Sequence, residues 1–284
     1  MPVCTKATKM QPQNQDGRLI RFLSDDNCIY YGDAILPEGV VDISRSQQAR
    51  VITGDVLGEH HVTDQVLDVR LLLPPLAPSQ TGTVRCVGLN YASHAREADM
   101  SQPQYPLLFY KPRTALSGPV DVIKIPPMAQ EGTGLDYECE LVIVIGKKCK
   151  DVTEAEALDC ILGYSVGNDV THRDWQLKWG KANGPTERDP QNLKIWTKVN
   201  GELLQDATTA EMMFGVKKIV SLLSRGVTLM PGDVIFSGTP AGVGMCRNPQ
   251  IWLEHGDVVE VGLEQVGTCT NKVQFITEDS RSCV

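Results

Sequence analysis

No run of apolar residues in this sequence is long enough to span a membrane, since the longest apolar stretches have the length of strands. It also lacks a cluster of basic residues interleaved with aromatic residues, and its net charge is −8. An acidic surface argues against binding to nucleic acid or to anionic membranes. The N-terminal residues lack the apolar segment of a secretory signal. We therefore expect a cytoplasmic protein that binds neither nucleic acid nor membranes.

The cysteines are not arranged for a structural metal or a disulfide framework. They number nine, an odd count, and none forms a Cys-X-X-Cys motif. Reduced thiols in an intracellular compartment fit this pattern. The glycine-rich segment 237–244 lacks the Gly-X-X-X-X-Gly-Lys pattern of a phosphate-binding loop, so nucleotide binding is weakly supported.

The chain length of 284 residues allows one large domain with a smaller appendage. Segments 18–23 and 28–35 have the pattern of two short strands around an Asp-Asp-Asn turn, a hairpin. The proline-rich stretch 72–78 is incompatible with a helix or a central strand and is typical of a linker. We predict a small N-terminal β-rich domain over residues 1–75 and a catalytic domain over residues 76–284.

Many short apolar segments and few helical patterns predict a mostly β, α+β architecture. Thr153 with Glu156 forms a capping box that predicts a helix to about Leu162, and Thr208 with Glu211 predicts the start of a second helix. The apolar residues of that second helix follow a helical period and end before Gly226. The last strands are predicted at 251–253 and 258–263.

A pair of glutamates opens the most apolar strand of the chain. Glu138 and Glu140 lie two residues apart, so both side chains are expected on one face of the strand, while Cys139 faces the other side. Asp169 ends another apolar strand and adds a third carboxylate. An oxygen-only set of this kind suits Mg²⁺, Mn²⁺ or Ca²⁺ rather than zinc. A solvated strand end with unconnected carboxylates is the alternative.

His94 and Glu97 follow a strand and are three residues apart, so in a helix their side chains can touch. A carboxylate orients an imidazole and raises its basicity, which a base that activates water requires. Lys181, in a glycine-containing loop, could supply positive charge to an oxyanion. The alternative is an exposed helix with two ordinary polar residues and a surface lysine.

Taken in order, the motifs of this chain resemble those of the fumarylacetoacetate hydrolase family, in particular its acylpyruvate hydrolase and oxaloacetate decarboxylase-like branch. The resemblance runs from about Val84 to Phe275. The segments that carry it are 87–94 (VGLNYASH), 110–112 (YKP), 136–140 (DYECE), 167–170 (GNDV), 173–176 (RDWQ), 180–181 (GK), 196–201 (WTKVNG), 231–235 (PGDVI) and 237–244 (SGTPAGVG).

This resemblance implies a fold, an assembly and a cofactor. The fold is a mixed β-sandwich roll with peripheral helices, and the assembly is a homodimer. The cofactor is Mg²⁺ or Mn²⁺, and its implied ligands are Glu138, Glu140 and Asp169.

It also assigns roles to the other candidate residues. His94 and Glu97 would form a catalytic dyad on a helix that orders over the substrate. The residues facing the substrate would be Arg173, Gln176, Lys181 and Thr239.

The implied activity is divalent-metal-dependent hydrolysis of a carbon–carbon bond in a β-dicarbonyl or 2-oxo acid compound. The metal would act as a Lewis acid and stabilise the enolate formed when the bond breaks. The same site could instead support decarboxylation or isomerisation, and a weakly active binding relative is the remaining alternative.

Two departures from the family pattern bear on the substrate. Leu89 occupies a position that is commonly Lys or Arg, and the Ser-Phe-Asp-Thr-Phe segment expected after Lys181 is absent. The first departure implies that a charge that could meet a substrate carboxylate is missing, and the second implies that a wall of the pocket is lost or rebuilt. We therefore expect a larger or less acidic substrate.

Overall fold

The computed structural model describes residues 3–6, 17–132, 134–178 and 192–277. Strands dominate this part of the chain. In chain order they are β1 (Val3–Lys6), β2 (Leu19–Leu23), β3 (Ile29–Ile35), β4 (Gln48–Gly54), β5 (His60–Asp68), β6 (Leu71–Leu73), β7 (Val84–Gly88), β8 (Leu107–Lys111), β9 (Ile123–Ile125), β10 (Leu135–Asp136), β11 (Cys139–Ile145), β12 (Ile161–Asn168), β13 (Thr171–His172), β14 (Lys194–Val199), β15 (Glu202–Thr208), β16 (Val234–Phe236), β17 (Val258–Leu263) and β18 (Gly267–Phe275).

Three α-helices lie among these strands within the described ranges: α1 (Ala92–Glu97), α2 (Arg173–Lys178) and α3 (Val216–Ser224). Helix α3 confirms the helical period of the sequence, because Val216, Ile219 and Val220 are buried on one face. Gly226 follows its end with a φ of 68°, a left-handed conformation that glycine adopts without strain. Among the residues described, no helix has the length and apolar character needed to cross a membrane.

A six-stranded sheet in the order β1-β12-β11-β16-β7-β8 forms the centre of the molecule. All its pairs are antiparallel except β16 with β7. Strand β11 is buried along its whole length, which explains why its sequence is apolar after Glu140. Its two faces contribute to different layers, since side chains alternate along a strand.

A second sheet in the order β15-β14-β17-β18-β9 packs against one face of the first, and the two form a β-sandwich. Leu141 and Ile143 of β11 point into the core between the sheets, where they share a hydrophobic cluster with Ile195 and Val261. Glu140 belongs to the opposite face of β11, together with Val142 and Val144. The alternation therefore places Glu140 outside the sandwich core.

The N-terminal strands form a separate antiparallel sheet in the order β5-β4-β3-β2-β6. It has its own small core, which includes Ile20, Phe22 and Ile43. Strand β1, in contrast, pairs with β12 in the central sheet. The division of the chain at residue 75 into two domains stays a prediction.

The mostly β fold class predicted from the sequence is confirmed, and the local predictions are confirmed only in part. The helix expected from Thr153 is wrong, because only a short 3₁₀ turn, Ala157–Cys160, precedes β12. Thr153 still donates its backbone N–H to Glu156 across 2.9 Å, so the capping pair forms without a helix. Pairing of β12 with strands on both sides outweighs this local helical signal.

Three further features differ from the sequence prediction. Thr208 caps a 3₁₀ turn, Thr209–Glu211, and α3 begins later, after Gly215. Residues 251–253 do not form a strand. Strands β4, β5 and β18 have no counterpart in the prediction, since their sequences mix polar and apolar residues without a clean alternation.

Candidate active site

Three carboxylates meet where β11 and β12 lie side by side. Glu138 precedes β11 and Glu140 lies within it, while Asp169 directly follows β12. The antiparallel register pairs Cys139 with Asn168, so the start of one strand meets the end of the other. One oxygen from each of the three carboxylates lies within 4.8 Å of the other two.

The trio of Glu138, Glu140 and Asp169 is buried, with exposed fractions of 6%, 2% and 0%. Burial raises the pKa of Glu138, an effect that the Arg173 charge opposes and the Asp169 charge reinforces. Burial raises the pKa of Glu140 well above its usual range, and the charges of Asp169 and Glu138 add to this. The three groups therefore resist simultaneous ionisation unless positive charge is supplied.

Two cationic side chains supply part of that charge. The guanidinium of Arg173 pairs with Glu138 across 2.6 Å and with Asp136 across 2.7 Å. The ammonium of Lys111 pairs with Asp169. Burial lowers the pKa of Lys111, but the charge of Asp169 and the hydrogen bond to it, together with smaller contributions from Cys86 and Glu138, outweigh this effect, and the net direction is upward. Four carboxylates against two cations leave two negative charges, which one divalent cation would neutralise.

The buried oxygen Oδ2 of Asp169 has no hydrogen-bond partner among the described residues. A buried carboxylate oxygen without a partner is costly unless a cation lies beside it. All the donor atoms are oxygen, and Mg²⁺, Mn²⁺ and Ca²⁺ prefer oxygen ligands, whereas zinc favours nitrogen and sulfur. The trio therefore fits a hard divalent cation in number, charge and donor type.

His94 and Glu97 lie on α1, which follows β7. Nδ1 of His94 and Oε1 of Glu97 are 2.7 Å apart, and Oε2 of Glu97 accepts the backbone N–H of Gly242 across 2.8 Å. Both carboxylate oxygens of Glu97 are thus engaged, which fixes the plane of the imidazole. A positive charge on the imidazole would lower the pKa of Glu138, which places the two groups near each other and the dyad and the trio in one site.

The turn that leads into α1 is anchored by Asn90. Its amide donates to the carbonyl oxygens of Phe214 and Ser237 across 2.9 and 2.6 Å and accepts the N–H of Phe214 across 2.6 Å. Leu89, immediately before it, has a φ of 51°, an unusual conformation for a bulky residue. The buried amide holds this turn in place and thereby positions the dyad helix.

Asp136 links the dyad to the trio. Its carboxylate accepts the backbone N–H groups of Gly244 and Met245 across 2.7 and 3.1 Å, in the loop that also contains Gly242. The same carboxylate pairs with Arg173, which in turn pairs with Glu138. The loop that contains Gly242, the hydrogen-bond partner of Glu97, is therefore linked through Asp136 and Arg173 to the Glu138 carboxylate of the trio.

Cys246 ends a 3₁₀ turn in this loop, Gly244–Cys246, and its sulfur lies close to the dyad. One ligand atom from each of His94, Glu97 and Cys246 lies within 4.8 Å of the other two. Burial, reinforced by the charge of Glu97, raises the pKa of the Cys246 thiol to about 11. The thiol is therefore neutral near pH 7.

The residues expected to face a substrate differ in whether their polar atoms already have hydrogen-bond partners within the protein. Arg173 uses Nε and Nη1 in its contacts, whereas its buried Nη2 has no partner among the described residues. Gln176 is exposed and accepts from Arg173 across 2.9 Å. The hydroxyl of Thr239 is buried and donates to the carbonyl oxygen of Cys139. Lys181 lies outside the described residues.

Sequence reasoning assigned no role to Lys111 and Asp136, although both lie within motifs that carry the family resemblance. The position of Lys111 on the chain gives no hint that it faces the carboxylate trio. A signal was present for Asp136, because it precedes the two glutamates in the same short motif. Lys111 ends strand β8 beside a proline, and only the tertiary structure shows its partner.

Comparison with known proteins agrees with the family resemblance. Residues 83–274 match the family described as "Fumarylacetoacetate (FAA) hydrolase C-terminal". "Caffeoylpyruvate hydrolase" of Neonothopanus nambi is 39% identical over 271 residues, which cover 90% of this chain and 93% of that protein. "Oxaloacetate tautomerase FAHD2B, mitochondrial" of Bos taurus is 40% identical over 225 residues, covering 72% of this chain and 70% of that protein.

A solved structure gives the same result for the fold. The 2-hydroxyhepta-2,4-diene-1,7-dioate isomerase from Mycobacterium marinum superposes with a TM-score of 0.73 at 36% identity. The match covers 92% of this chain and 100% of that chain. The chain is therefore an enzyme of the fumarylacetoacetate hydrolase family, in its acylpyruvate hydrolase-like branch.

Proposed function

We propose that this enzyme hydrolyses a carbon–carbon bond in a β-dicarbonyl 2-oxo acid, an acylpyruvate, with Mg²⁺ or Mn²⁺ as cofactor. The observation that carries the proposal is the juxtaposition of a buried carboxylate trio with a His94–Glu97 dyad in one site. Similarity to a caffeoylpyruvate hydrolase over 90% of the chain supports an acylpyruvate substrate. The overall reaction adds one water and yields a carboxylic acid and a smaller 2-oxo acid.

Glu138, Glu140 and Asp169 would hold the cation, since they offer three oxygen donors and an excess of negative charge. When bound, it supplies Lewis-acid polarisation of the two substrate oxygens that a β-dicarbonyl or 2-oxo acid presents together. Lys111 and Arg173 stay paired with members of the trio and orient those carboxylates. The free Nη2 of Arg173 can donate to the substrate.

His94 acts as the base that takes a proton from water. The carboxylate of Glu97 accepts the Nδ1 proton, which leaves the lone pair on Nε2 available. As the water oxygen bonds to the acyl carbon, the adjoining carbon–carbon bond breaks and its electron pair passes to the departing carbon. The imidazolium then returns a proton to that carbon, so His94 ends the cycle neutral. Lys181 is proposed as the partner of the developing oxyanion.

A substrate screen tests this proposal. Acylpyruvates with aliphatic and aromatic acyl groups would be supplied with and without Mg²⁺, and products would be identified by NMR. We expect Mg²⁺-dependent release of pyruvate and a carboxylic acid, with bulkier acyl groups preferred because Leu89 replaces a cation and the segment after Lys181 is altered. Absence of Mg²⁺-dependent cleavage across the screen would contradict the proposal.

Tautomerisation of oxaloacetate is the second candidate, favoured by similarity to a relative named as an oxaloacetate tautomerase. The dyad is sufficient for it, because moving a proton between carbon and oxygen requires His94 but no attacking water. Decarboxylation would use the same site. Following oxaloacetate by the decay of its enol absorbance, together with release of CO₂, separates these reactions from hydrolysis.

We also propose that the enzyme is a homodimer, as the family resemblance implies, and that it is cytoplasmic, in keeping with the cysteine pattern of an intracellular protein. Sedimentation equilibrium of the full chain would give twice the mass of one chain for a dimer. Imaging of the full chain fused to a fluorescent protein would test the cytoplasmic location.

A further inference from the structure

Helix α1, which carries the dyad, and the loop after β16, which carries Cys246, together present a second set of potential metal ligands that differs in chemistry from the carboxylate trio. His94 offers nitrogen, Glu97 offers oxygen and Cys246 offers sulfur, and their ligand atoms lie within 4.8 Å of one another. Nitrogen and thiolate donors favour zinc, whereas Mg²⁺ binds oxygen. The two clusters therefore have opposite metal preferences within one active site.

We propose that His94, Glu97 and Cys246 form an inhibitory zinc site. Three protein ligands with one position left for water is the arrangement of many open zinc sites in proteins. The separations of the three ligand atoms are compatible with tetrahedral coordination after small side-chain adjustments. The site takes up one zinc ion, and the thiol of Cys246 releases its proton to solvent as the zinc–sulfur bond forms.

The surroundings hold two of the three ligands in place. Cys246 is carried on a 3₁₀ turn whose N–H groups at Gly244 and Met245 are bound by Asp136. Glu97 is held by the N–H of Gly242. The Cys246 sulfur makes no hydrogen bond in the part of the chain that the structure describes, so no such bond must be broken for it to bind an ion.

The ion can also reach the site. His94 is largely buried, but 21% of the Glu97 side chain is exposed and Cys246 is half-buried. A small cation can therefore enter from the side of Glu97 and Cys246.

Zinc at this site would stop catalysis for a chemical reason. A neutral imidazole bound to a metal through one nitrogen carries its proton on the other, so no lone pair remains to accept a proton from water. Glu97 would exchange its bond with the imidazole for a bond with the ion. The enzyme would then keep its Mg²⁺ trio while lacking its base, and zinc would act without displacing Mg²⁺.

Cobalt spectroscopy tests the site directly, because Co²⁺ replaces zinc and gives a near-ultraviolet charge-transfer band only when a thiolate binds it. The full chain would be titrated with Co²⁺ in excess Mg²⁺, which keeps the trio filled. We expect a band that saturates at one equivalent and disappears on adding Zn²⁺. The band should be lost in Cys246→Ser and kept in Cys28→Ser, which removes an exposed thiol elsewhere.

A second variant tests the same site in case Cys246→Ser fails to fold. His94→Asn keeps the thiol but removes a ligand, so the apparent dissociation constant for Co²⁺ should rise at least about tenfold. A band that persists in Cys246→Ser, or that never forms in the parent, would overturn the proposal. Circular dichroism of each variant would establish that it is folded.

The inhibitory role rests on the proposed function and needs turnover as a readout. With Mg²⁺ in excess, Zn²⁺ should inhibit the parent at least about tenfold more strongly than Cys246→Ser, each rate being normalised to its own zinc-free value. Equal inhibition of the two would overturn the inhibitory role. A Cys246-dependent cobalt band in a chain that cleaves no acylpyruvate would support the zinc site while contradicting the proposed function, so the two failures are distinguishable.

Discussion

The guanidinium of Arg173 donates from Nε to the carboxylate of Asp136 across 2.7 Å, although the two residues are 37 positions apart in the chain. Both side chains are almost completely buried, with exposed fractions of 4% and 0%. Through its Nη1, the same guanidinium reaches Glu138, a member of the carboxylate trio. The ion pair thus joins the loop that holds Glu97 to the proposed metal site.

Asp136→Asn should destabilise the enzyme and weaken its metal site. The substitution keeps the shape of the side chain but replaces a buried, charged acceptor of Arg173 and of two backbone N–H groups with an amide, for which we expect a loss of about 3 kcal/mol in the free energy of unfolding. Asp206→Asn is a matched control, because it breaks an exposed ion pair with Lys194 and should cost less than about 1 kcal/mol. Urea denaturation measures both. Equal losses in the two variants would contradict the coupling.

Glu140→Gln should stabilise the metal-free protein at neutral pH and abolish tight metal binding. The folded-state pKa of Glu140 lies above its ordinary value of 4.5. Above pH 4.5 the unfolded chain ionises first, so the stability of the folded protein falls as the pH rises until the folded-state pKa is passed. Glutamine removes that contribution, so the variant should lose less stability than the parent over this range.

The control for this experiment is the same pH series with saturating Mn²⁺. The cation should flatten the pH dependence of the parent, because it stabilises the ionised carboxylates. Mn²⁺ should leave the stability of Glu140→Gln, and its pH dependence, almost unchanged. If Mn²⁺ stabilised the two proteins equally, Glu140 would not be a ligand.

His94→Asn should reduce kcat by roughly 10²- to 10⁴-fold, the range expected for loss of a general base. Because His94 is not a ligand of the trio, the affinity for Mn²⁺, measured by calorimetry in the absence of zinc, should stay within about threefold of the parent value. A parallel loss of kcat and of Mn²⁺ affinity would indicate a role for His94 in the metal site.

Glu97→Gln should also reduce catalysis, because glutamine has one side-chain acceptor oxygen where glutamate has two. The carboxylate accepts both the imidazole proton and the N–H of Gly242, whereas an amide can offer an oxygen to only one of them. The remaining donor faces an NH₂ group. We expect a kcat loss of at least about tenfold, and a variant with the parental kcat would show that orientation of the imidazole is unimportant.

Lys111→Met should destabilise the metal-free protein by roughly 1–3 kcal/mol, because the buried carboxylate of Asp169 loses its cationic partner. The same change should increase the stabilisation provided by Mn²⁺, since the cluster then carries an additional uncompensated negative charge. Thermal unfolding with and without Mn²⁺ measures this difference. An equal shift in parent and variant would show that the lysine and the metal do not share Asp169.

The sequence indicated the fold class and the chemistry of the candidate site where local patterns carry the information. The two-residue spacing of Glu138 and Glu140 predicts a shared face, and the three-residue spacing of His94 and Glu97 predicts contact on a helix, because strand and helix periods depend on the backbone alone. The structure brings each of these pairs together. Local signals were weaker elsewhere: the capping pair at Thr153 forms, yet strand pairing prevents the helix.

By itself, then, the sequence determined that the protein is mostly β and has a family-type set of carboxylates and a possible base. Only the tertiary structure decided which distant cations compensate the buried carboxylates, namely Lys111 for Asp169 and Arg173 for both Asp136 and Glu138. It also placed Cys246 beside the dyad. The reason is physical: periodicity governs neighbours along one element, whereas burial and charge pairing depend on which elements the folded chain brings together.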